Sequence, residues 1–155
     1  MIPVIGIMKK IVGIVLLTKT MNKKVLTVDF DDTLAKSSYI SSFEECILEP
    51  IQRVIDFVKE KHKEEGWEVH IVTFRHPEHR KEVEDFCKDY EIPISSVVCT
   101  CSNPKTDALL KLESDLHIDD HVETLVLAKQ AGVNVLMVDW NQEHHNSTAK
   151  FFDKI

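Results

Sequence analysis

The 155-residue sequence predicts a doubly wound α/β sandwich, in which a mainly parallel five-stranded sheet lies between two layers of helices. From Met21 onward, strand-like and helix-like segments alternate, which is the pattern of βαβ units. The strand segments are nearly continuous apolar runs, as expected of parallel strands that are covered on both faces. The hydrophobic fraction of 43% and the charged fraction of 29% are those of an ordinary globular protein.

Residues 1–20 are predicted to be an N-terminal extension of a single domain that spans residues 21–155. The longest uninterrupted apolar run of the extension is Ile11–Leu17, which is far shorter than the roughly 20 residues of a membrane span. Lys9 and Lys10 precede that run as in a signal peptide, but no small-x-small cleavage site follows it. We interpret the extension as an upstream translation start, with Met21 as the natural one, or as an added edge strand, and expect no membrane association.

The first half of the domain shows two strands and two helices. Val25–Val28 is the first strand, and acidic residues follow it. A helix begins near Pro50, since proline suits a first helical turn, and it carries apolar residues at helical spacing until Gly66 ends it. Trp67–Val72 is the second strand, and Pro77 begins the second helix.

The second half continues the alternation with three strands and three helices. Asn103-Pro104 is a cap followed by the first turn of one helix. Gly132 ends the next helix along the chain. Ser147 is positioned to cap a final helix that carries Phe151 and Phe152. The predicted strands are Ser96–Cys99, Leu116–Ile118 and Val133–Val138.

Composition excludes several classes of function. The sequence has only four glycines, at positions 6, 13, 66 and 132, so neither a Walker-type loop nor a GxGxxG fingerprint is present. The net charge of −7 argues against broad electrostatic binding to nucleic acid or anionic membrane. Four cysteines without a secretion signal predict reduced thiols and a cytoplasmic location. Zinc bound by Cys99 and Cys101 with His144 and His145 is an alternative, but its spacing is not that of a standard zinc finger.

In doubly wound folds, ligands bind beyond the carboxyl ends of the strands, and here polar residues of several kinds follow those ends. Asp29-Phe30-Asp31-Asp32-Thr33 follows the first strand, Thr73 the second, and Asp119-Asp120 the fourth, while Lys105 stands at a helix start. An acid after a strand is most often a turn former, and an isolated threonine or lysine is most often structural or solvated. It is the combination at one sheet edge that indicates a site.

Such a set of residues permits phosphoryl-transfer chemistry. Crowded carboxylates need a cation, and oxygen ligands at this density suit Mg²⁺. Because residues i and i+2 of an extended chain project to the same side, Asp29 and Asp31 can face one reacting centre while Phe30 points into the core. One carboxylate can then attack phosphorus while the other moves a proton. A hydroxyl and an ammonium group would supply donors to the phosphoryl oxygens.

At these positions the sequence resembles the haloacid dehalogenase-like (HAD) phosphohydrolase superfamily. VLTVDFDDTL resembles its first motif, VHIVT at Thr73 its second, Lys105 its third and LHIDD its fourth. The resemblance runs from about Val25 to Val138 and implies a HAD-like Rossmannoid fold. Lys111, deeper in the same helix, is the alternative third-motif lysine. Asp32 stands where many members have glycine, although the family also tolerates Asp there.

The resemblance implies catalytic roles for four residues. Asp29 would be the nucleophile that forms an aspartyl-phosphate. Asp31 would be the general acid that protonates the leaving group and then activates water. Thr73 would hold a phosphoryl oxygen, and Lys105 would balance the charge of the nucleophile and the phosphate.

The resemblance also implies a Mg²⁺ cofactor and substrate contacts. The ion would be held by the Asp29 carboxylate, the Asp31 backbone carbonyl and the acidic pair Asp119 and Asp120. Asp120 is favoured as the direct ligand, with Asp119 as its partner. Thr33 and Arg75 are expected to contact the substrate.

The intervals between the motifs leave no room for a cap domain, so the resemblance is to capless members with a short mobile flap around Ala35–Ile47. An open site admits a large substrate, such as a phosphorylated nucleic acid end or a protein, or is closed by a neighbouring subunit. A nucleotide is the other candidate substrate. The segment 118–138 is similar in layout to polynucleotide 3′-phosphatase domains, although that layout is widely shared. Arg75, His76, His79 and Arg80 form either a cationic rim for the substrate or a solvated helix start.

The sequence therefore predicts a Mg²⁺-dependent phosphomonoester hydrolase. A receiver domain of a signalling relay uses similar residues, but its acidic pair comes first and its lysine last, the reverse of the order here. A catalytically silent binding module would usually have lost one of the four site acids, all of which are present. A phosphotransferase that uses the same aspartyl-phosphate stays open as an alternative.

Overall fold

The computed structural model describes residues 23–40, 45–139 and 150–152, so the predictions for residues 1–20 and for Ser147 lie outside the described residues. The strands are β1 Val25–Val28, β2 Ala35–Ile40, β3 Glu45–Pro50, β4 Glu68–Thr73, β5 Ser96–Cys99, β6 Leu116–Asp119, β7 Asn134–Asp139 and β8 Lys150–Phe152. The helices are α1 Gln52–Glu65, α2 Arg80–Asp89, α3 Thr106–Lys111 and α4 Val122–Gln130, with a short 3₁₀ helix, Pro77–His79, before α2.

The main sheet has the strand order β5-β4-β1-β6-β7-β8. Its first five strands pair in parallel, with β1 between β4 and β6, so the predicted five-stranded parallel sheet is confirmed. All four residues of β1 are buried, as expected of a central strand that is covered on both faces. The chain order changes direction on either side of β1, and the carboxyl end of such a strand is where doubly wound folds bind ligands.

The end of the described chain is a strand, and the predicted final helix is wrong at Phe151 and Phe152. β8 pairs antiparallel with β7, with Phe151 opposite Val138 and Phe152 opposite Met137. Two adjacent phenylalanines favour an extended conformation, and without β8 the edge of β7 would offer unpaired backbone groups. The sheet therefore has a sixth strand, antiparallel to the five that were predicted.

Three helices begin later than their prolines predict, and Pro50 is the last residue of β3 instead of a part of α1. Pro77 opens the 3₁₀ turn before α2, and Thr106 is the first residue of α3, with Lys105 immediately before it. At the end of α1, Gly66 has a φ of 72°, the left-handed conformation that favours glycine at a helix end.

The two faces of the sheet pack against separate helical layers, which confirms the predicted three-layer sandwich. Side chains of β1 alternate between the faces, so Leu26 and Val28 join a core cluster with residues of α1 and α2. A second cluster contains Leu109 of α3 and Leu125 of α4. Burial of each such aliphatic side chain contributes about 1.5–3 kcal/mol.

A β-hairpin occupies the segment that was predicted to be a flap. β2 and β3, which follow β1 and precede α1 in the sequence, pair antiparallel as a separate two-stranded sheet. The backbone N–H of Asp32 donates to the carbonyl of Ala35 over 2.6 Å, which ties the start of the hairpin to the end of β1. All four cysteines are free. Among the described residues, no helix combines the length and apolar character that crossing a membrane requires.

Candidate active site

The carboxyl edge of the sheet brings together Asp29, Thr73, Lys105 and Asp119. Asp29 directly follows β1, and its backbone N–H continues the β1–β6 ladder by donating to the carbonyl of Ile118 over 2.8 Å. Thr73 and Asp119 are the last residues of β4 and β6, and Lys105 immediately precedes α3. All four are buried, so the polar residues of the predicted motifs converge inside the protein.

Asp29 lies at the centre of this group and is only 5% exposed. Its Oδ1 accepts a hydrogen bond from Lys105 Nζ over 2.8 Å, and its Oδ2 accepts one from the Thr33 hydroxyl over 3.0 Å. Burial and the nearby charge of Asp119 raise the pKa of the Asp29 carboxyl well above its usual range. The two hydrogen bonds fix the position of the carboxylate.

Lys105 joins Asp29 to Asp119, because Nζ also donates to Asp119 Oδ2 over 2.7 Å. The lysine side chain is 0% exposed and lies over the ring of Phe74, with Nζ 4.6 Å from the centroid. Burial acts to lower the pKa of the ammonium, but Asp29 and Asp119 outweigh it and the net pKa is raised. Lys111, the alternative lysine, is exposed at the end of α3.

Asp119 is fully occupied by hydrogen bonds. Besides Lys105, its Oδ2 accepts from His117 Nε2 over 2.9 Å, and its Oδ1 accepts from the backbone N–H of His121 over 3.0 Å. Burial opposes ionisation of Asp119, but the bonds from His117 and Lys105 prevail and its pKa lies below the usual range. The carboxylate is therefore an anchor for its neighbours.

Asp29, Asp119 and Asp120 form a group whose carboxylate oxygens lie within 4.8 Å of one another. Within the described ranges, it is the one group of three or more His, Cys, Asp or Glu residues arranged closely enough to hold a metal ion. Three carboxyl groups lie beside one ammonium, that of Lys105, so ionisation of all three would leave two negative charges without a cation. A hard divalent ion such as Mg²⁺ fits this oxygen-only donor set.

Asp120 is less occupied than Asp119. Its Oδ1 lies 3.3 Å from the Thr33 hydroxyl, and burial with the charge of Asp119 raises the pKa of its carboxyl to about 6. A carboxyl group whose ionisation is disfavoured by its neighbours is one that a cation would stabilise as an anion. Asp120 therefore has oxygens to offer an ion, whereas those of Asp119 are committed to protein donors.

Asp31 has surroundings unlike those of Asp29. Its side chain is 32% exposed, and it accepts a bidentate pair from Arg75, with Nε to Oδ2 at 2.8 Å and Nη2 to Oδ1 at 2.7 Å. The Ser37 hydroxyl of β2 also donates to Oδ1. Partial burial acts to raise the pKa of Asp31, but the bonds from Arg75 and Ser37 outweigh it and the net pKa is lowered.

Arg75 lies between several partners. Its side chain is only 7% exposed; Nη1 donates to Glu82 of α2 over 2.9 Å, and the guanidinium lies over the ring of Phe30 at 5.1 Å. A contact of 3.8 Å joins Nη2 to the thiol of Cys46 on β3. The predicted substrate contact of Arg75 stays a prediction, and in this structure the guanidinium is bound to Asp31.

The remaining predicted residues differ in how close they come to the centre. Thr73 is buried, and its hydroxyl accepts from the backbone N–H of Arg75 over 3.2 Å. Thr33 is buried, and its hydroxyl contacts the carboxyl groups of Asp29 and Asp120. Asp32 has a φ of 59°, a left-handed conformation that glycine and, among other residues, Asp and Asn adopt most readily. His76, His79 and Arg80 of the proposed rim are exposed.

Sequence reasoning missed four contributors: His117, Ser37, Glu82 and His121. His117 stands two residues before Asp119 on one strand, so the alternation of strand side chains could have placed both on the same face. The other three depend on how the hairpin, α2 and α4 pack against the site, which no local pattern of the sequence indicates. Of the zinc alternative, Cys99 is half-buried and Cys101 is exposed, while His144 and His145 lie outside the described residues.

No family model matches the chain, and no curated protein matches it. Solved structures are similar in fold. A chain of the Pnkp1/Rnl/Hen1 RNA repair complex has a TM-score of 0.59 and 17% identity over 77% of this chain and 43% of its own length. The 3-deoxy-D-manno-octulosonate 8-phosphate phosphatase of Moraxella catarrhalis, solved with magnesium, phosphate and the sugar, has a TM-score of 0.51 and 21% identity. That match covers 71% of this chain and 64% of the phosphatase.

These likenesses show a shared doubly wound α/β fold. The chain spans less than half the length of the RNA repair protein and 64% of the phosphatase. The fold class that the sequence predicts is therefore confirmed, and the chemistry is argued from the site itself.

Proposed function

We propose that this protein is a Mg²⁺-dependent phosphomonoester hydrolase that acts through an aspartyl-phosphate on Asp29. The observation that supports this most is the placement of Asp29 between Lys105 and the carboxyl groups of Asp119 and Asp120, with which it could hold a cation. A buried aspartate with fixed oxygens is suited to attack phosphorus. The Lys105 ammonium offsets the charge that accumulates when a phosphate dianion approaches it.

Asp29, Asp120 and the backbone carbonyl of Asp31 would hold the ion, with Asp119 as their partner. Mg²⁺ would neutralise phosphoryl charge and so lower the barrier to attack by an anion. The protein residues perform the remaining work: Lys105 and Thr73 bind phosphoryl oxygens, and Asp29 attacks phosphorus while the P–O bond to the leaving group breaks.

Asp31 would move the proton in both half-reactions. It protonates the departing alkoxide in the first, and as a carboxylate it accepts a proton from the water that attacks the aspartyl-phosphate in the second. The bonds from Arg75 and Ser37 favour the ionised form, which is the form that the second half-reaction needs.

The substrate that we propose is a phosphorylated nucleic acid end or nucleotide. Of the intervals between the motifs, 35–66 contains the hairpin and α1, and 74–104 contains α2 and β5, so neither holds a cap domain in its described parts. One structural neighbour belongs to an RNA repair complex. A panel of 3′- and 5′-phosphorylated oligonucleotides, mononucleotides and sugar phosphates tests this choice, and a preference for sugar phosphates would contradict it.

The proposed reaction is tested with an activated aryl phosphate, with and without Mg²⁺, on the wild type and three matched variants. Asp29→Asn removes the nucleophile and should abolish turnover. Asp31→Asn should reduce it by about 10²–10⁴-fold, the usual contribution of general acid–base catalysis. Asp32→Asn is the control, because asparagine accepts the left-handed conformation there, and it should keep at least a third of the activity.

The proposal fails if Asp29→Asn remains active or if a chelator leaves turnover unchanged. Release of inorganic phosphate identifies hydrolysis. Transfer of the phosphoryl group to an added alcohol, without free phosphate, would identify the phosphotransferase alternative.

A further inference from the structure

Beneath the proposed nucleophile, a line of buried polar groups crosses from β1 to β6. Thr27 and His117 are neighbours in register on these strands, and both are 0% exposed. Thr27 Oγ1 lies 2.8 Å from His117 Nδ1 and 2.7 Å from the hydroxyl of Ser114. At its other end, the line reaches Asp119 through His117 Nε2.

Strand geometry connects this line to the active site. Side chains two residues apart on a strand project to the same face, so Thr27 lies below Asp29, and His117 lies below Asp119. Hydrogen bonds link Thr27 to His117, His117 to Asp119, and Asp119 through Lys105 back to Asp29. The two strand ends are thus joined in a closed ring of contacts.

The direction of one hydrogen bond in the ring is fixed by chemistry. An ionised carboxylate can only accept, so the 2.9 Å contact requires a proton on His117 Nε2. The same Asp119 oxygen accepts from Lys105, so both the imidazole and the ammonium bind it. Without the imidazole, Asp119 would keep Lys105 on Oδ2 and the backbone N–H of His121 on Oδ1, and the carboxylate could pivot about the His121 contact and move Oδ2 away from Lys105.

We propose that His117 is a positioning residue for the reaction: its Nε2–H orients Asp119, and Asp119 in turn holds Lys105 against Asp29. This inference rests on the proposed hydrolase function. The ordinary role of a buried histidine in a strand is to satisfy its own hydrogen bonds within the core. Here one of its two partners is the carboxylate that anchors the site lysine, which gives the residue an effect on turnover separate from its effect on stability.

Two variants of His117 separate the roles. In His117→Gln, the side-chain amide reaches the position of Nε2 and keeps a donor to Asp119. In His117→Asn, the shorter amide reaches only the position of Nδ1, so it keeps the contact with Thr27 and loses Asp119. Both variants remove the imidazole from the same buried site, so similar falls in melting temperature are expected.

The expected result is a difference in kcat. His117→Gln should stay within about threefold of the wild type, and His117→Asn should lose about tenfold or more, as is typical when a partner of a metal-site residue is removed. KM should change by less than about threefold in both. His70→Gln and His70→Asn are controls, since His70 is a nearly buried histidine of β4 that contacts Ser96 and Glu68. Both should leave kcat unchanged.

Crystal structures of the two His117 variants give a readout that does not depend on turnover. The contact between Lys105 Nζ and Asp119 Oδ2 should persist in His117→Gln and be lost in His117→Asn. Equal kcat values in the two variants, or an intact contact in His117→Asn, would overturn the inference. A wild type that hydrolyses no phosphomonoester would instead overturn the proposed function, and the structures alone would then decide whether His117 orients Asp119.

Discussion

Asp29 and Asp31 stand two residues apart, yet they are held by different parts of the molecule. Asp29 is buried and is bound by Lys105 and Thr33, so its supports lie in the core of the site. Asp31 is one-third exposed, and its supports come from the β2–β3 hairpin and from Arg75 in the loop after β4. Burial with nearby acids raises the pKa of the first, while hydrogen bonds lower that of the second.

Under the proposed mechanism, this difference lets one short motif supply two functions. A residue that attacks phosphorus needs a fixed position, and the closed ring of contacts beneath Asp29 provides it. A residue that exchanges protons with a leaving group and then with water needs access to both. The partly exposed position of Asp31 provides that access, and opposite environments for two neighbouring carboxylates are a general sign of divided roles.

Removal of the Lys105 ammonium should disrupt the contacts that hold Asp29 and should have the largest effect. In Lys105→Met, Asp29 and Asp119 lose their shared cation, and an uncompensated buried charge typically costs about 3–5 kcal/mol. The free energy of unfolding measured in urea without metal should fall accordingly, and turnover should fall at least as much as when one transition-state donor is lost, about 10²–10³-fold. Lys111→Met, an exposed change on the same helix, is the control, and equal behaviour of the two variants would contradict this account.

Removal of the Arg75 guanidinium should affect only the Asp31 side, and by less. Arg75→Met eliminates the bidentate pair that lowers the pKa of Asp31, so that pKa should rise. At saturating Mg²⁺, which keeps Asp29 and Asp120 ionised, the acid limb of the pH profile of kcat should therefore move to higher pH. At neutral pH, kcat should fall by about tenfold, the smaller end of the general acid–base contribution.

Arg75→Lys keeps a charge without the bidentate geometry, and its acid limb should lie between those of the wild type and Arg75→Met. An acid limb that stays in place in both variants would show that Arg75 does not control the protonation of Asp31.

The sequence was sufficient for the features that depend on local pattern. Apolar runs placed the five parallel strands, and the residues at their carboxyl ends follow from the strand positions, which is why Asp29, Thr73, Lys105 and Asp119 were all expected at one edge. The choice of Lys105 over Lys111 could be made because the first stands before the helix and the second lies within it.

Features set by contacts between distant segments could not be predicted in the same way. The sequence offers no local reason for Arg75 to pair with Asp31, because the pair depends on where the loop after β4 lies beside β1. The strand at Phe151 and Phe152 depends on the open edge of β7, which a local pattern does not reveal. His117 is an intermediate case, since its spacing from Asp119 is visible but its contact with Thr27 requires the register of β1 and β6.

The central claim is that Asp29 becomes phosphorylated while Asp31 moves the proton, and acid quenching tests it most directly. Wild type and Asp31→Asn are mixed with an aryl phosphate and Mg²⁺, quenched in acid, digested and mapped by mass spectrometry. The account predicts one phosphate, on Asp29, that accumulates further in Asp31→Asn because the variant lacks the base for hydrolysis. A phosphate on any other residue, or none during active turnover, would contradict it.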